Sequence, residues 1–348
     1  MKTKAHRNIW QLRWERFKRN RTGFVSLILF ACVFVLSLAA ELITNEKPLV
    51  IVYKSHIYFP IIFDYPETTF GGALKGKTQY NDPFIQEELH RHAWTLRPPL
   101  HFSHNTIRRD KDAPFPSPPD RENILGTDEN GKDIFATILY GFRISVVFGF
   151  LLTFASISIG IIVGALLGFH GGKLDFFGQR FMEILGGFPV TYLIIIMGSF
   201  IVPSFWLLLG IMLLFGWMGP ANLVRTEFLK ARKQPYIIAV KALGVGDTGI
   251  IFRHILPNAM VATLTFLPFM LAGSITILTS LDFLGVGLPA EYPALGALLA
   301  QGKNNLFAPW IGLSAFGFLS FILILLLFIG DAVRDAFDPH AIGKGNPE

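Results

Sequence analysis

Four residues near position 75 have the types and the spacing of a phosphate-binding loop. Gly71, Gly76, Lys77 and Thr78 satisfy the pattern G-x-x-x-x-G-K-[ST] in full. In such a loop the backbone amides and the lysine hold nucleotide phosphates, and the hydroxyl binds a magnesium ion. The pattern therefore raises the question of whether this chain hydrolyses ATP.

The surroundings of this pattern argue against a nucleotide site. A phosphate loop follows a buried strand and opens a helix, whereas DYPETTF precedes this pattern and QYNDPF follows it. No apolar strand ending in a magnesium-binding Asp comes after it. We therefore expect the glycines to shape turns, Lys77 to be solvated, and any source of chemical energy to be a partner protein.

Histidine and cysteine point to no other chemistry. The spacing of His90, His92, His101 and His104 matches no zinc pattern, so exposed loop histidines are the expected interpretation. Cys32 is the single cysteine and lies inside an apolar run, which excludes a disulfide framework and a cysteine metal site. We expect no catalytic residue, no cofactor and no metal.

The composition is that of an integral membrane protein. Of the 348 residues, 51% are hydrophobic and 16% are charged, and the mean hydropathy is +0.46. Each apolar run is close to the roughly 20 residues that cross the hydrocarbon core of a bilayer. The sequence therefore predicts an all-α membrane protein with six transmembrane helices. The six runs lie near 23–44, 144–169, 184–202, 205–224, 259–281 and 309–330.

Basic residues orient these helices. Residues 1–22 contain eight Lys and Arg against one acid, and the connection 225–258 contains six more. Both segments are predicted to face the cytoplasm, because positively charged flanks stay inside, and six spans then put both chain ends there. The net charge of +6 is thus anchoring charge near membrane lipid, and no nucleic-acid partner is expected.

The orientation gives a predicted domain organisation. A cleavable signal peptide is the weaker interpretation of the first run, because the run is long and the basic arm before it has Trp10, Trp14 and Phe17 at helical spacing. The predicted parts are a basic interfacial arm at 1–22, a first transmembrane helix at 23–44, an extracytoplasmic loop domain at 45–143, a five-helix core at 144–332, and a cytoplasmic tail at 333–348.

Three glycines in the second run share one helix face. Gly160, Gly164 and Gly168 recur at four-residue intervals, and small residues at this spacing let another helix backbone approach closely in lipid. Ordinary glycine enrichment of membrane helices is the alternative, and we favour close packing. Few ionisable residues lie within the runs, which disfavours an ion-coupled secondary transporter or channel.

The segment 234–260 carries the strongest functional signal. Pro235 can begin a short helix that Gly244 ends, and Asp247 can cap a second helix that Pro257 ends as the next span begins. Both helices are too apolar to lie free in water. Their apolar residues need a surface to bury against, which favours a partner contact over a helix packed only on lipid.

This segment resembles the cytoplasmic loop of permeases of ATP-binding-cassette (ABC) importers. That loop has the pattern Glu-Ala-Ala, three residues, Gly, nine residues, a hydrophobic position, one residue, Leu-Pro. Ala239 matches the first Ala, Gly244 matches the Gly, and Leu256-Pro257 match the closing pair, whereas Ile238 stands where Glu is usual. The resemblance implies an ATPase-coupling loop that comprises Ile237, Ile238, Ala239, Leu243, Gly244, Leu256 and Pro257.

Other stretches make the resemblance more specific. ILGTDENGKDIFATILYGFRISV at 124–146, SLDFLGVGLPAEYPALGALLAQGKN, APWIGL and GDAVRDAFDPH are similar to the dipeptide/oligopeptide permease family, and the insert 45–121 looks like that of the inner-membrane permease of microcin C type peptide importers. The resemblance implies a non-enzymatic subunit of the bacterial inner membrane that forms half of a peptide path. The implied partners are a second homologous permease, a cytoplasmic ABC ATPase, an extracytoplasmic solute-binding protein and a peptide substrate.

Overall fold

The computed structural model describes residues 9–73, 75–107 and 114–337. Residues 1–8 of the predicted arm and 338–348 of the predicted tail lie outside the described residues. The chain divides into two compact units. The core unit comprises Met1–Ala31, Ser145–Pro289 and Ser320–Glu348, and the loop unit comprises Cys32–Ile144 and Ala290–Leu319.

Most of the described chain is helical. In chain order the α-helices are α1 (Ile9–Arg19), α2 (Arg21–Leu38), α3 (Ala40–Ile43), α4 (Pro83–His92), α5 (Ile134–His170), α6 (Gly172–Gly186), α7 (Val190–Gly198), α8 (Phe205–Gly216), α9 (Met218–Ala231), α10 (Pro235–Ala242), α11 (Asp247–Gly249), α12 (Leu256–Phe283), α13 (Leu295–Asn304) and α14 (Pro309–Phe337). A 3₁₀ turn forms at Glu67–Phe70 and a π-helical turn at Ile250–Ile255.

Five helical segments of the described chain are long and apolar enough to cross a membrane. They are Arg21–Leu38, Ile134–His170, Phe205–Ala231, Asp247–Phe283 and Pro309–Phe337. A sixth candidate is the pair α6 and α7, which is bent by 57°. The structure thus has five or six candidate spans, depending on whether this pair crosses the membrane as one broken span.

The predicted run 184–202 is not one straight helix. Gly186 and Gly187 weaken the end of α6, because glycine loses the most backbone freedom in a helix. Pro189 has no amide hydrogen and disfavours helical backbone at the residue before it, so α7 starts afresh at Val190. Sequence hydropathy misses this break because every residue around it is apolar or small.

The run predicted at 144–169 begins ten residues earlier, at Ile134. Asp133 explains the earlier start, because its carboxylate accepts a hydrogen bond from the Ala136 amide at 2.7 Å and so caps the helix. The first turns of α5 pack in the loop unit against α13 and the start of α14, where the side chains of Ile138, Leu298 and Ile311 are buried together.

The loop unit also contains a small sheet, which the all-α prediction missed. Strands β1 (Val50–Tyr53), β2 (His56–Tyr58) and β3 (Ala93–Leu96) form an antiparallel sheet in the order β2-β1-β3. Alternate residues of β1, Ile51 and Tyr53, bury against Phe70 and α4. Each strand has only three or four residues, too few for the alternation to stand out in the sequence.

The described part of the predicted arm packs on the core unit. Phe17 of α1 is buried against Ala332 and Ala336 near the end of α14. Trp10 and Trp14 keep about half of their surface exposed. An exposed aromatic edge beside basic residues is typical of a helix that lies at a membrane interface.

Candidate coupling site

Helix α10 has the boundaries that its sequence predicts. Pro235 is the first helical residue, where the missing amide hydrogen costs nothing. Gly244 follows the helix with a φ of +81°, a conformation that favours glycine, and its amide donates to the Lys241 carbonyl at 3.0 Å. The chain therefore turns sharply back after one short helix.

The second short helix differs from its prediction at both ends. Gly246, not Asp247, is the residue before α11, and the Asp247 side chain makes no capping bond. Pro257 does not end the helix either, because Asp247–Phe283 is one continuous helical segment. A proline ring clashes with the carbonyl four residues before it, and the wider π-helical turn at Ile250–Ile255 lies where that clash would fall.

One face of α10 belongs to the hydrophobic core of the chain itself. Ile237 is only 4% exposed and packs with Val224 and Phe228 of α9. Ile255 and Ala259, which lie in the helical segment after α10, belong to the same cluster. Ile237 therefore contributes to the core of the chain and not to its exposed surface, since a helix of 3.6 residues per turn cannot expose every side chain when it packs on a neighbour. The assignment of Ile237 to the ATPase-coupling loop stays a prediction. Leu256 is partly buried in this cluster as well.

The opposite face of α10 is apolar and uncovered. We define the outer face as Ile238, Ala239 and Leu243, which are all exposed. Ile238 keeps 59% of its surface and Leu243 keeps 83%. Tyr236 and Val245 extend this apolar surface, and Pro257 is exposed after it. An uncovered apolar patch of this kind marks a contact surface.

Helix α9, which leads into α10, is held against the glycines of α5. A Cβ atom added to Gly160 would lie 2.5 Å from Pro220, one on Gly164 would lie 2.5 Å from the Ala221 carbonyl oxygen, and one on Gly168 would lie 2.6 Å from the Arg225 carbonyl oxygen. No real Cβ atom fits at such distances. The two backbones therefore approach more closely here than any larger residue would permit.

Polar contacts fix the position of α9 further. The guanidinium of Arg225 forms a two-pronged ion pair with the Asp175 carboxylate of α6, and its second nitrogen donates at 2.8 Å. Arg232 donates to the Phe169 carbonyl at 3.1 Å. Sequence reasoning missed both arginines, which it counted only as topology signals.

Asp282 is another polar residue that sequence reasoning missed. It is buried at the end of α12, and its carboxylate accepts a hydrogen bond from the Leu288 amide at 2.8 Å. A Cβ atom on Gly287 would lie 2.0 Å from the same carboxylate. Asp282 therefore holds the tight turn after α12, a structural role.

The described residues of the phosphate-loop pattern form no phosphate-binding cradle. The Gly72 amide donates to the Glu67 carbonyl at 3.1 Å and the Thr78 amide donates to the Tyr65 carbonyl at 3.0 Å, so these donors are already used. The ammonium group of Lys77 lies 2.5 Å from the Asp64 carboxylate, although the lysine side chain is 80% exposed. Hydrogen bonds from Lys47 and Lys77 lower the pKa of Asp64 to about 2. Leu74, inside the pattern, lies outside the described residues.

The four histidines that the sequence analysis considered as metal ligands are separated into two pairs. His90 and His92 lie in the last turn of α4, and His92 lies 3.1 Å from Glu88. His101 and His104 lie in the chain that follows β3. Among the described residues no three His, Cys, Asp or Glu side chains are placed to hold a metal ion.

The family of the chain follows from its sequence matches. Residues 160–343, more than half of the chain, match the family of binding-protein-dependent transport system inner membrane components. Residues 8–60 match the N-terminal transmembrane domain of oligopeptide transport permease C. The chain therefore belongs to the binding-protein-dependent inner membrane permeases. It is a transmembrane subunit of an ABC importer, and ATP hydrolysis belongs to a partner ATPase.

Individual relatives show which members of this family are similar to the chain over most of its length. It is 54% identical to the inner membrane ABC transporter permease protein YejE of Escherichia coli K12 over 330 residues, which cover 95% of this chain and 97% of the relative. It is 49% identical to the peptidoglycan transport system permease protein YejE of Agrobacterium fabrum, with 94% and 92% covered. The oligopeptide transport system permease protein OppC of Bacillus subtilis is 31% identical, with 68% and 75% covered.

These relatives confirm the resemblance drawn from the sequence. The chain is a multi-pass inner membrane protein, and its family implies an ATPase, a binding protein and a second permease as partners. The two YejE relatives match 95% and 94% of this chain, so most of the insert 45–121 lies within those matches.

Proposed function

We propose that this chain forms half of the translocation path of a peptide importer, with a second homologous permease as the other half. The names of its relatives support a peptide or peptide-like substrate, because oligopeptides and peptidoglycan both contain peptide bonds. A solute-binding protein delivers the substrate from outside, and a cytoplasmic ABC ATPase drives the transport cycle.

The observation that carries the proposal is the two-faced helix α10. Its inner residue Ile237 is packed in the core of the chain, and its outer face of Ile238, Ala239 and Leu243 is free to enter a cleft on the ATPase. A helix held in this way moves together with α9 and α12. ATP binding and hydrolysis in the partner therefore shift the spanning helices between two packed arrangements, which opens the path alternately to each side.

The proposed topology has six spans, with α6 and α7 forming one bent span. Both chain ends and α10 lie in the cytoplasm, and residues 45–133 of the loop unit lie outside. Single cysteines at positions 81 and 241 test this arrangement in a Cys32→Ser background. An impermeant thiol reagent added to intact cells should label Asn81→Cys and spare Lys241→Cys; equal labelling would contradict the six-span topology.

Transport itself is tested in proteoliposomes that contain both permeases and the ATPase, with the binding protein added outside. We expect uptake of a radiolabelled oligopeptide that requires ATP inside and the binding protein outside. The alternative, an ion-coupled transporter, predicts uptake that follows an ion gradient without ATP. Uptake under a sodium or proton gradient alone would refute the proposal.

A further inference from the structure

The loop unit contains a large cleft with charged and amide side chains in its lining, and the proposed function gives this cleft no role. Its volume is about 1190 Å³, and it lies between the 3₁₀-turn region, the start of α4 and the chain that follows β3. Pockets of roughly 300–1,000 Å³ hold drug-sized ligands, so this cleft has room for a short peptide. All of the lining residues belong to the loop unit.

Four acids line the cleft: Glu46, Asp64, Asp82 and Glu122. Asp82 caps α4 by accepting a hydrogen bond from the Phe84 amide at 2.9 Å, and Glu46 and Asp64 are engaged with neighbouring side chains. Glu46 accepts hydrogen bonds from Thr106 at 2.8 Å and from Asn81 at 3.5 Å. Asp64 is paired with Lys47 at 2.7 Å and with Lys77. The lysines Lys47 and Lys77 therefore have a carboxylate partner in Asp64, and Glu46 has its own hydrogen-bond donors.

The two arginines of the cleft differ from its two lysines in their pairing. Arg97 is half-buried and Arg121 is exposed, and among the described residues neither guanidinium has a carboxylate within ion-pair distance. Burial alone lowers the pKa of Arg97, with no acid to oppose the shift. Removing a cation from water without a partner costs free energy, which an anionic ligand would recover.

The neighbouring groups suit a peptide. Gln79, Gln86 and Asn105 line the cleft, and amide side chains both donate to and accept from a peptide backbone. His101 lies beside Arg97, and burial and the charge of Arg97 lower its pKa. Glu122 opposes this shift. Among the described residues, the two guanidiniums are the cations of the cleft without an ion pair, and a planar guanidinium matches the geometry of a carboxylate.

We propose that this cleft binds a short peptide through its C-terminal carboxylate, with Arg97 and Arg121 as the carboxylate-binding residues. That the ligand is a peptide rests on the proposed function. That it binds through a carboxylate rests on the two arginines of the cleft. The site would hold substrate in the loop unit, outside the spanning helices. An acidic segment of the binding protein is the other source of a carboxylate, and the test separates the two.

The test measures binding of trialanine to the purified permease complex without the binding protein, by calorimetry in detergent. We expect saturable binding to wild type that weakens roughly 10- to 100-fold when the peptide carboxylate is amidated, as for loss of a hydrogen bond to a charged group. Arg97→Gln and Arg121→Gln should each weaken binding of the free acid by a similar factor and leave binding of the amide unchanged.

Arg91→Gln is the matched control, because Arg91 is an exposed arginine of α4 that does not line the cleft. It should bind trialanine like wild type. Thermal melting of each variant checks the fold, which should persist because Arg97 and Arg121 have no ion pair to lose among the described residues. Equal binding of the acid and the amide, or wild-type binding by Arg97→Gln, would overturn the proposal.

The outcome also separates this inference from the proposed function. Peptide uptake by the complete importer, without carboxylate-dependent binding to the isolated permease, refutes the cleft site and leaves the importer intact. Carboxylate-dependent binding without uptake supports the cleft and refutes the transport proposal. If Arg97→Gln weakens only the association of the binding protein, and trialanine does not compete for it, the carboxylate belongs to that protein and the inference fails.

Discussion

Lys77 and its neighbours lie against partners within their own loop, whereas the outer face of α10 lies against nothing in the described chain. In the first region the lysine is paired with Asp64, and the Gly72 and Thr78 amides donate to nearby carbonyls. In the second, Ile238 and Leu243 keep most of their surface exposed. The difference shows that a contact surface is recognised by the apolar side chains that the fold leaves exposed. A motif that is complete in the sequence does not indicate a binding site when its side chains are already bonded within the loop.

The largest expected effect separates the two faces of α10. Ile237→Asp places a carboxylate in an apolar core, so we expect a loss of about 3–5 kcal/mol of stability and a low yield of folded permease. Ile238→Asp places the same carboxylate in water. It should leave the melting temperature of the purified permease near that of wild type and abolish ATPase binding.

These two variants form a matched pair, because residue type and helix are the same and only the face differs. Thermal melting of the permease alone and co-purification of the ATPase give the two measurements. If Ile238→Asp melts early while Ile237→Asp does not, the two faces of α10 are assigned the wrong way round.

The next effect concerns the glycine face that holds α9. Gly164→Leu puts a side chain where even a Cβ atom would lie 2.5 Å from the Ala221 carbonyl oxygen. Overpacking costs about 1–3 kcal/mol, and the upper end applies because the obstacle is backbone. We expect a clear fall in melting temperature and in yield of the assembled complex.

Gly210→Leu is the control for this change. It makes the same substitution in α8, where nothing lies within 4 Å of an added Cβ atom. Its melting temperature should stay close to that of wild type. A normal complex with Gly164→Leu would show that α5 and α9 do not need their close approach.

A smaller effect is expected at the turn after α10. Gly244→Ala meets no atom within 4 Å, so its only cost is the φ of +81°, about 1–2 kcal/mol for a residue with a Cβ atom. We expect a folded permease with a modestly lower melting temperature and ATP-driven uptake below that of wild type. Unchanged stability and uptake would mean that the turn relaxes without this conformation.

The smallest effect is expected at the phosphate-loop pattern. Lys77→Ala removes one exposed ion pair, and such pairs contribute little to stability. Peptide uptake and partner ATPase activity should both match wild type. Loss of ATP hydrolysis after this single change would contradict the account, because it would give Lys77 the role of a phosphate ligand.

The sequence predicts the membrane class, the apolar runs and the limits of α10 because long hydrophobic stretches, Pro235 and Gly244 are strong local signals. It does not predict the break between α6 and α7, where hydropathy stays high across Gly186 and Pro189. It also misses the small sheet of the loop unit, whose strands are too short to show a period. Elements with strong local signals are therefore predicted from the sequence, whereas elements with weak signals are missed.

The two faces of α10 could not be separated from sequence for a related reason. Ile237 and Ile238 are adjacent, equally apolar and without a wider pattern to orient them. Only the contacts of Ile237 with α9 and with the segment that follows show which of the two is buried. The ion pair between Arg225 and Asp175 joins residues 50 positions apart, a pairing that no local motif encodes.

The most direct test of the central claim is retention of the ATPase on the purified permease at low and at high salt. The outer face of α10 is apolar and has Ile238 where an acid is usual, so the contact should rest on hydrophobic burial, which salt does not screen. We predict that wild type keeps its ATPase at both salt concentrations, and that Ala239→Asp loses it at both because a carboxylate would be buried without a partner. Loss of the ATPase from wild type at high salt, or full association and uptake with Ala239→Asp, would contradict the account.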